Sequence, residues 1–202
     1  IRAVTRHCPN LRRLKLYICN EITDIGAENC PNLQWLMTLH CNKLTDESKR
    51  AVADHCPNLM KLAVASRSKR TDASIAAVAA GCPNLKALML DGCTKLTNVS
   101  LAAIASSCPN LESLFLRDCR FTALPENIGN LSKLGLLDAG RNLLTGLPLS
   151  IVQLDDSCTL QLDGNPLQTP PSEIAEQGLP AIRRYFEQRA AISTQSSEGI
   201  SA

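Results

Sequence analysis

An excess of charge of one sign is almost missing from this chain: 21 Lys and Arg stand against 19 Asp and Glu over 202 residues, a formal net charge of +2. So small an excess argues against nucleic acid or an anionic membrane as the partner, because neither would be drawn in by long-range attraction. No apolar run reaches the roughly 18 to 20 residues that a membrane-spanning helix needs, so no segment is expected to cross a bilayer. There is no Gly-x-x-x-x-Gly-Lys-Ser/Thr, and Asp163-Gly164-Asn165-Pro166 reads as a strand-end turn rather than a phosphate loop. Cys-x-x-Cys and His-x-x-x-His spacings are missing too, which argues against zinc. The three histidines directly precede cysteines, at His7, His40 and His55, and His7 and His55 share a slot filled elsewhere by Asn29, Gly81 and Ser107. That variety describes a solvent-facing helix end. Scattered Ser, Asp and Glu define no base and nucleophile pair, so the chain reads as no enzyme, with no cofactor and no small-molecule substrate.

What is present is one phrase repeated. Cys-Pro-Asn-Leu occurs at 8–11, 30–33, 56–59, 82–85 and 108–111. A self-similar period of this length is the mark of a solenoid, in which each unit buries its apolar face only against its neighbours. Nine of the ten cysteines sit at repeat-locked places. Five open the phrase, and Cys19, Cys41, Cys93 and Cys119 fall eight residues after its leucine. Equivalent cysteines should stack in rows as small apolar groups with weak S–H donors. Free thiols of this kind imply a reducing compartment, so the expected location is intracellular, in the cytoplasm. The sequons Asn98-Val99-Ser100 and Asn130-Leu131-Ser132 point the other way, but the motif is short.

Alternation after each leucine places seven strands, at Leu14–Leu16, Leu36–Thr38, Leu62–Val64, Leu88–Leu90, Leu114–Leu116, Leu137–Ala139 and Leu160–Leu162. The stretch after each strand carries helical spacing, clearest at Ser74-Ile75-x-x-Val78-Ala79 and Ser100-Leu101-x-x-Ile104-Ala105, and the proline after each cysteine stops that helix. The fold expected is an α/β solenoid, a right-handed horseshoe with a parallel sheet of about seven strands inside and helices or irregular segments outside.

These residues resemble the leucine-rich repeats. Residues 1–122, with Cys-Pro-x-Leu-x-x-Leu-x-Leu-x-x-Cys followed by Leu-Thr-Asp, look like the cysteine-containing subtype of F-box substrate receptors of ubiquitin ligases. Thr38 stands where leucine belongs and Arg67 where cysteine belongs. Residues 123–169 carry Leu124-Pro125-x-x-Ile128 and Leu147-Pro148-x-x-Ile151. They are similar to the Leu-Pro-x-x-Ile repeats of Ras-group, scaffold and ROCO-GTPase-associated proteins, with Asn142 and Asn165 in the cysteine's place. Residues 170–191 read as a helical cap over the last repeat, and the polar run 192–202 as a disordered tail. The opening residues Ile1 to Cys8 read as the end of a repeat's helix, so the chain is expected to be a piece of a longer protein.

Strand side chains that flank the inward leucines should line the hollow of the arc. Of the six aromatics in the chain, Tyr17, Trp35 and Phe115 fall there, with Met37, Leu39 and Met89. Arg13, Lys15 and Lys61 make one end basic, and Asp91 and Arg117 lie toward the other. Grouped apolar and aromatic residues facing water mark interaction sites, so these eleven positions form the candidate surface for another protein or peptide. The basic run Arg67-Ser68-Lys69-Arg70 is a second candidate, for a polyanion. The resemblance implies two narrower roles: the substrate-recognition arm of an F-box-type ubiquitin ligase, or the repeat region of a ROCO-type multidomain GTPase. The sequence leaves the oligomeric state open.

Overall fold

The computed structural model describes residues 8–64 and 71–198, the side chains of 193–198 excepted. Seven strands pair in parallel in the order of the chain: β1 (Arg13–Tyr17), β2 (Trp35–Leu39), β3 (Lys61–Ala63), β4 (Ala87–Met89), β5 (Ser113–Phe115), β6 (Leu136–Asp138) and β7 (Thr159–Gln161). Leu14, Leu36, Leu62, Leu88, Leu114, Leu137 and Leu160 share one register, so one inward row runs the length of the sheet. Each of β1 to β5 is launched by the repeated phrase folded as a tight turn, in which the leucine N–H donates to the cysteine carbonyl at 3.0–3.2 Å. Proline sets the backbone angle of the turn's second residue. The asparagine ties turns together: the side-chain amides of Asn32, Asn58, Asn84 and Asn110 donate to the carbonyls of Pro9, Pro31, Pro57 and Pro83 in the preceding unit.

Opposite the sheet lie α1 (Asp46–His55), α2 (Asp72–Gly81) and α3 (Asn98–Ser107), each ten residues long. Thr45, Thr71 and Thr97 precede them. Asp72 at the start of α2 accepts from the backbone N–H and the hydroxyl of Thr97, so the first turn of one helix anchors the start of the next. Packed helices stand 8–10 Å apart and paired strands about 4.8 Å apart, which forces the helical side outward and the sheet to the inside of the arc. The first unit departs from the helical spacing expected of it: its outer segment holds only a 310 turn, Ala27–Asn29. Its phrases are 22 rather than 26 residues apart, too few for a ten-residue helix. The fifth and sixth units also carry 310 segments, Ile128–Asn130 and Leu149–Gln153.

The residue before each strand-end cysteine or asparagine is left-handed: Ile18, His40, Gly92, Asp118, Arg141 and Gly164 all have φ between 53° and 71°. Among the described residues ten cysteines are free thiols, eight of them buried; Cys8 is exposed and Cys19 half-buried, because the first unit has no described neighbour on its outer side. Two core positions depart from the repeat. Thr38 occupies the slot of Leu16, Val64, Leu90 and Leu116, fully buried, with no hydrogen bond to its hydroxyl. Lys49, also fully buried, occupies the slot of Ile75 and Leu101.

At the far end α4 (Ser172–Ala175) and α5 (Leu179–Glu198) lie against the last units. Leu179 and Ile182 are buried, and Arg183 donates to the carbonyls of Val152 and Leu154 at 2.7 and 3.2 Å while pairing with Asp156. α5 runs on to Glu198, past the 191 boundary expected of the cap. Extending a nucleated helix fixes one residue per added hydrogen bond, which a polar run tolerates. Residues 199–202 lie outside the described residues.

Candidate functional site

All eleven candidate residues fall on the inner surface. Arg13, Trp35 and Lys61 continue through Ala87, Ser113, Leu136 and Thr159 in one cross-strand row. Lys15, Met37, Ala63, Met89 and Phe115 make the second, continuing to Asp138 and Gln161. Tyr17 and Leu39 pair at the strand ends, and Asp91 and Arg117 stand just beyond β4 and β5. The apolar members are less open than a sequence row suggests. Only Tyr17, at 61%, is well exposed; Trp35, Met37, Leu39, Met89 and Phe115 are half-buried, because parallel strands set equivalent side chains close enough to cover one another.

The two ends of this surface handle charge in opposite ways. At the β1–β3 end three cations converge on one indole: Lys15 Nζ lies 4.1 Å from the Trp35 ring centre, Arg13 Cζ 5.6 Å and Lys61 Nζ 5.8 Å. Among the described residues no carboxylate is within ion-pair distance of any of the three. Tyr17 stands edge-on to His40 nearby, ring centres 5.8 Å apart. At the β4–β7 end, charge is internally matched. The Arg117 guanidinium bridges Asp138 at 3.2 Å and Asp163 at 2.5 Å, while its backbone N–H donates to Asp91 at 2.9 Å. Asp138, buried, also accepts from the Gly140 N–H. Gly140 makes the bridge possible, since a Cβ there would stand 2.6 Å from the guanidinium. Hydrogen bonding to Arg117 holds Asp163 below the usual carboxylate range and raises Arg117 itself. Burial pushes Asp91 up, with the Arg117 N–H opposing it and Asp138 adding to it.

The strand alternation also puts Asp138 and Asp163 on the inner face with Arg117, one and two units further on, and makes that half acidic, but it does not show that they pair with Arg117. Trp35 and the three cations were placed on one face, but their convergence needed side-chain geometry.

The thiols are poor chemistry. Burial pushes Cys56, Cys82 and Cys119 up to about 12 and Cys108 and Cys158 up to about 11, so they stay protonated at neutral pH and are weak nucleophiles. No group of three metal-ligating side chains occurs among the described residues. His40 fills a left-handed turn, His55 ends α1 in solvent, and His7 lies outside the described residues, as does Arg67-Ser68-Lys69-Arg70. No described helix is long and apolar enough to cross a membrane.

A continuous sheet of seven parallel strands facing a layer of three helices and three 310 segments defines a leucine-rich-repeat solenoid. Two solved structures share this fold. The leucine-rich repeat domain of the type III effector XopL is similar over 78% of this chain and 54% of its own, with 26% identity and a TM-score of 0.54. A leucine-rich repeat protein of Leptospira interrogans is similar over 83% and 53%, with 22% identity and a TM-score of 0.51. The ectodomain of the Arabidopsis thaliana receptor kinase GASSHO1/SCHENGEN3, solved in complex with CASPARIAN STRIP INTEGRITY FACTOR 2, covers 78% of this chain and 22% of its own, with 22% identity and a TM-score of 0.49. The chain thus spans about half the length of the first two. No family model and no curated protein matches it.

Proposed function

We propose that this chain is a non-catalytic recognition module that holds another protein or peptide against its inner sheet. The observation that carries this is the row Tyr17, Trp35, Met37, Leu39, Met89 and Phe115, large side chains on an inner wall that no described segment of the chain crosses. Aromatic and sulfur-bearing side chains held on rigid strands lose little entropy on binding, which makes them effective anchors. The shared fold with the XopL repeat domain supports the architecture of such a module. The test is selection from a random-peptide display library on the folded protein. Peptides that lose binding to Phe115→Ala with Met89→Ala, and keep it for Arg50→Ala on the outer face, support the reading; peptides indifferent to the inner substitutions overturn it.

The cysteine-type units, with their buried thiol rows, support a narrower reading as the substrate-recognition arm of an F-box-type ubiquitin ligase in a reducing compartment. An F-box-like segment in the full reading frame would follow. The Leu-Pro-x-x-Ile units and the α4–α5 end support the repeat region of a ROCO-type GTPase instead, for which a phosphate loop further along the reading frame would follow.

A further inference from the structure

We infer that the β1–β3 end of the inner sheet is a receptor for the acidic part of a partner polypeptide, with Arg13, Lys15 and Lys61 taking its carboxylates beside Trp35. The inference rests on the inner-face reading above and adds the partner's chemistry and its direction along the groove. Three cations gathered within 6 Å of one ring centre repel one another, and the indole face offsets only part of that repulsion. Elsewhere on this sheet a cation is neutralised from within: Arg117 is held by Asp138 and Asp163. The three cations around Trp35 have no such carboxylate among the described residues, so an incoming acid would lower their mutual repulsion as well as make its own bonds.

The rest of the groove separates a peptide from other polyanions. Past Lys61 the wall becomes apolar at Met89 and Phe115, then carries Asp91, Asp138 and Asp163 around Arg117, with Arg141 near enough to Asp163 to add to its stabilisation. A nucleic acid strand presents a phosphate at every step and would be repelled by that end. A polypeptide can carry glutamates at one end and apolar side chains next to them, which matches the order of the wall.

Trp35 is the only tryptophan, so its fluorescence reports on the site directly. The probes are a short peptide with Glu residues at one end and Leu residues at the other, the same peptide with Gln for Glu, and an oligothymidylate. The expected result is a Trp35 emission change on adding the Glu peptide, with the Gln peptide at least about tenfold weaker and the affinity falling as added salt shortens the screening length. Lys15→Glu with Lys61→Glu should abolish the response, Lys15→Gln with Lys61→Gln should weaken it, and Lys95→Glu, away from the sheet, should leave it unchanged. Circular dichroism checks that each variant is folded. Equal affinity for the Glu and Gln peptides, tighter binding of the oligothymidylate, or no response to any probe would overturn the inference. If display-selected peptides lose binding to Phe115→Ala with Met89→Ala but carry no acidic residues and ignore the lysine substitutions, the inner-face reading stands and this inference alone falls.

Discussion

The two halves of the solenoid close the same strand-end turn with different chemistry. In the cysteine units a buried thiol gives one weak bond to the neighbouring unit: Cys93 Sγ donates to Val64 O at 3.3 Å and Cys119 Sγ to Leu90 O at 3.1 Å. In the Leu-Pro-x-x-Ile units an amide does far more. Asn142 Nδ2 donates to the carbonyls of Leu116, Ala139 and Gly140, and its Oδ1 accepts from the N–H groups of Cys119 and Phe121. The outer layers differ as well, with ten-residue helices behind the second to fourth units and 310 segments of three to five residues behind the first, fifth and sixth. Thin outer segments supply less packing area per unit. The Asn142 ladder reinforces units whose outer segments are thin, whereas Cys93, in a unit backed by α3, gives only a weak thiol bond.

The sharpest break in this comparison is Asn142→Cys. It leaves the Cys119 and Phe121 N–H groups buried without an acceptor and is expected to cost about 3 kcal/mol, read from the midpoint of urea unfolding. The reciprocal Cys119→Ala removes a weak donor and a small volume and should cost only about 1 kcal/mol. Near-equal losses would erase the distinction between the ladders.

Close approach of outer segments is common to both halves. A Cβ on Gly81 would stand 2.3 Å from the Ala53 carbonyl oxygen, and one on Gly129 at 2.3 Å from that of Ser150. Gly81→Ala and Gly129→Ala should each lower stability by about 2 kcal/mol through overpacking, measured the same way.

Asp72 belongs to the helical half alone. Burial works against its ionisation, but hydrogen bonds from Thr97 and Ser100 outweigh that and leave the carboxyl below its usual value. A depressed folded-state value stabilises the fold above the unfolded carboxylate's pKa, and that contribution is lost as the pH falls through the folded value. Asp72→Asn should therefore cost about 1 kcal/mol near neutrality and progressively less in acid, seen by comparing thermal midpoints across pH. The smallest effect is a gain: Thr38→Val removes a buried hydroxyl without a partner, at a slot where the next unit has Val64, and should add about 1 kcal/mol or less.

Much of this was legible in the residues. The spacing of Leu14, Leu36, Leu62 and their equivalents fixes the strand register, because a one-residue slip would turn every leucine outward. The asparagine of the repeated phrase was visible as a constant, but its bond to the preceding unit's proline carbonyl was not, since a single unit holds no partner for it. The short outer turn of the first unit and the continuation of α5 to Glu198 were missed for a related reason: local composition says what a segment prefers, and its neighbours decide what it does.

By itself the sequence determined the periodic architecture, the inward leucine row and the identity of the side chains on the inner wall. Those follow from the two-residue alternation of a strand and the spacing of one phrase, which are properties of covalent order. Only the tertiary structure decided which charges meet. Arg117 finds Asp138 and Asp163 across two units, while Arg13, Lys15 and Lys61 gather around Trp35 with no ion-paired carboxylate among the described residues. Long side chains reach across strands about 4.8 Å apart, and which way each leans depends on the residues of three units at once.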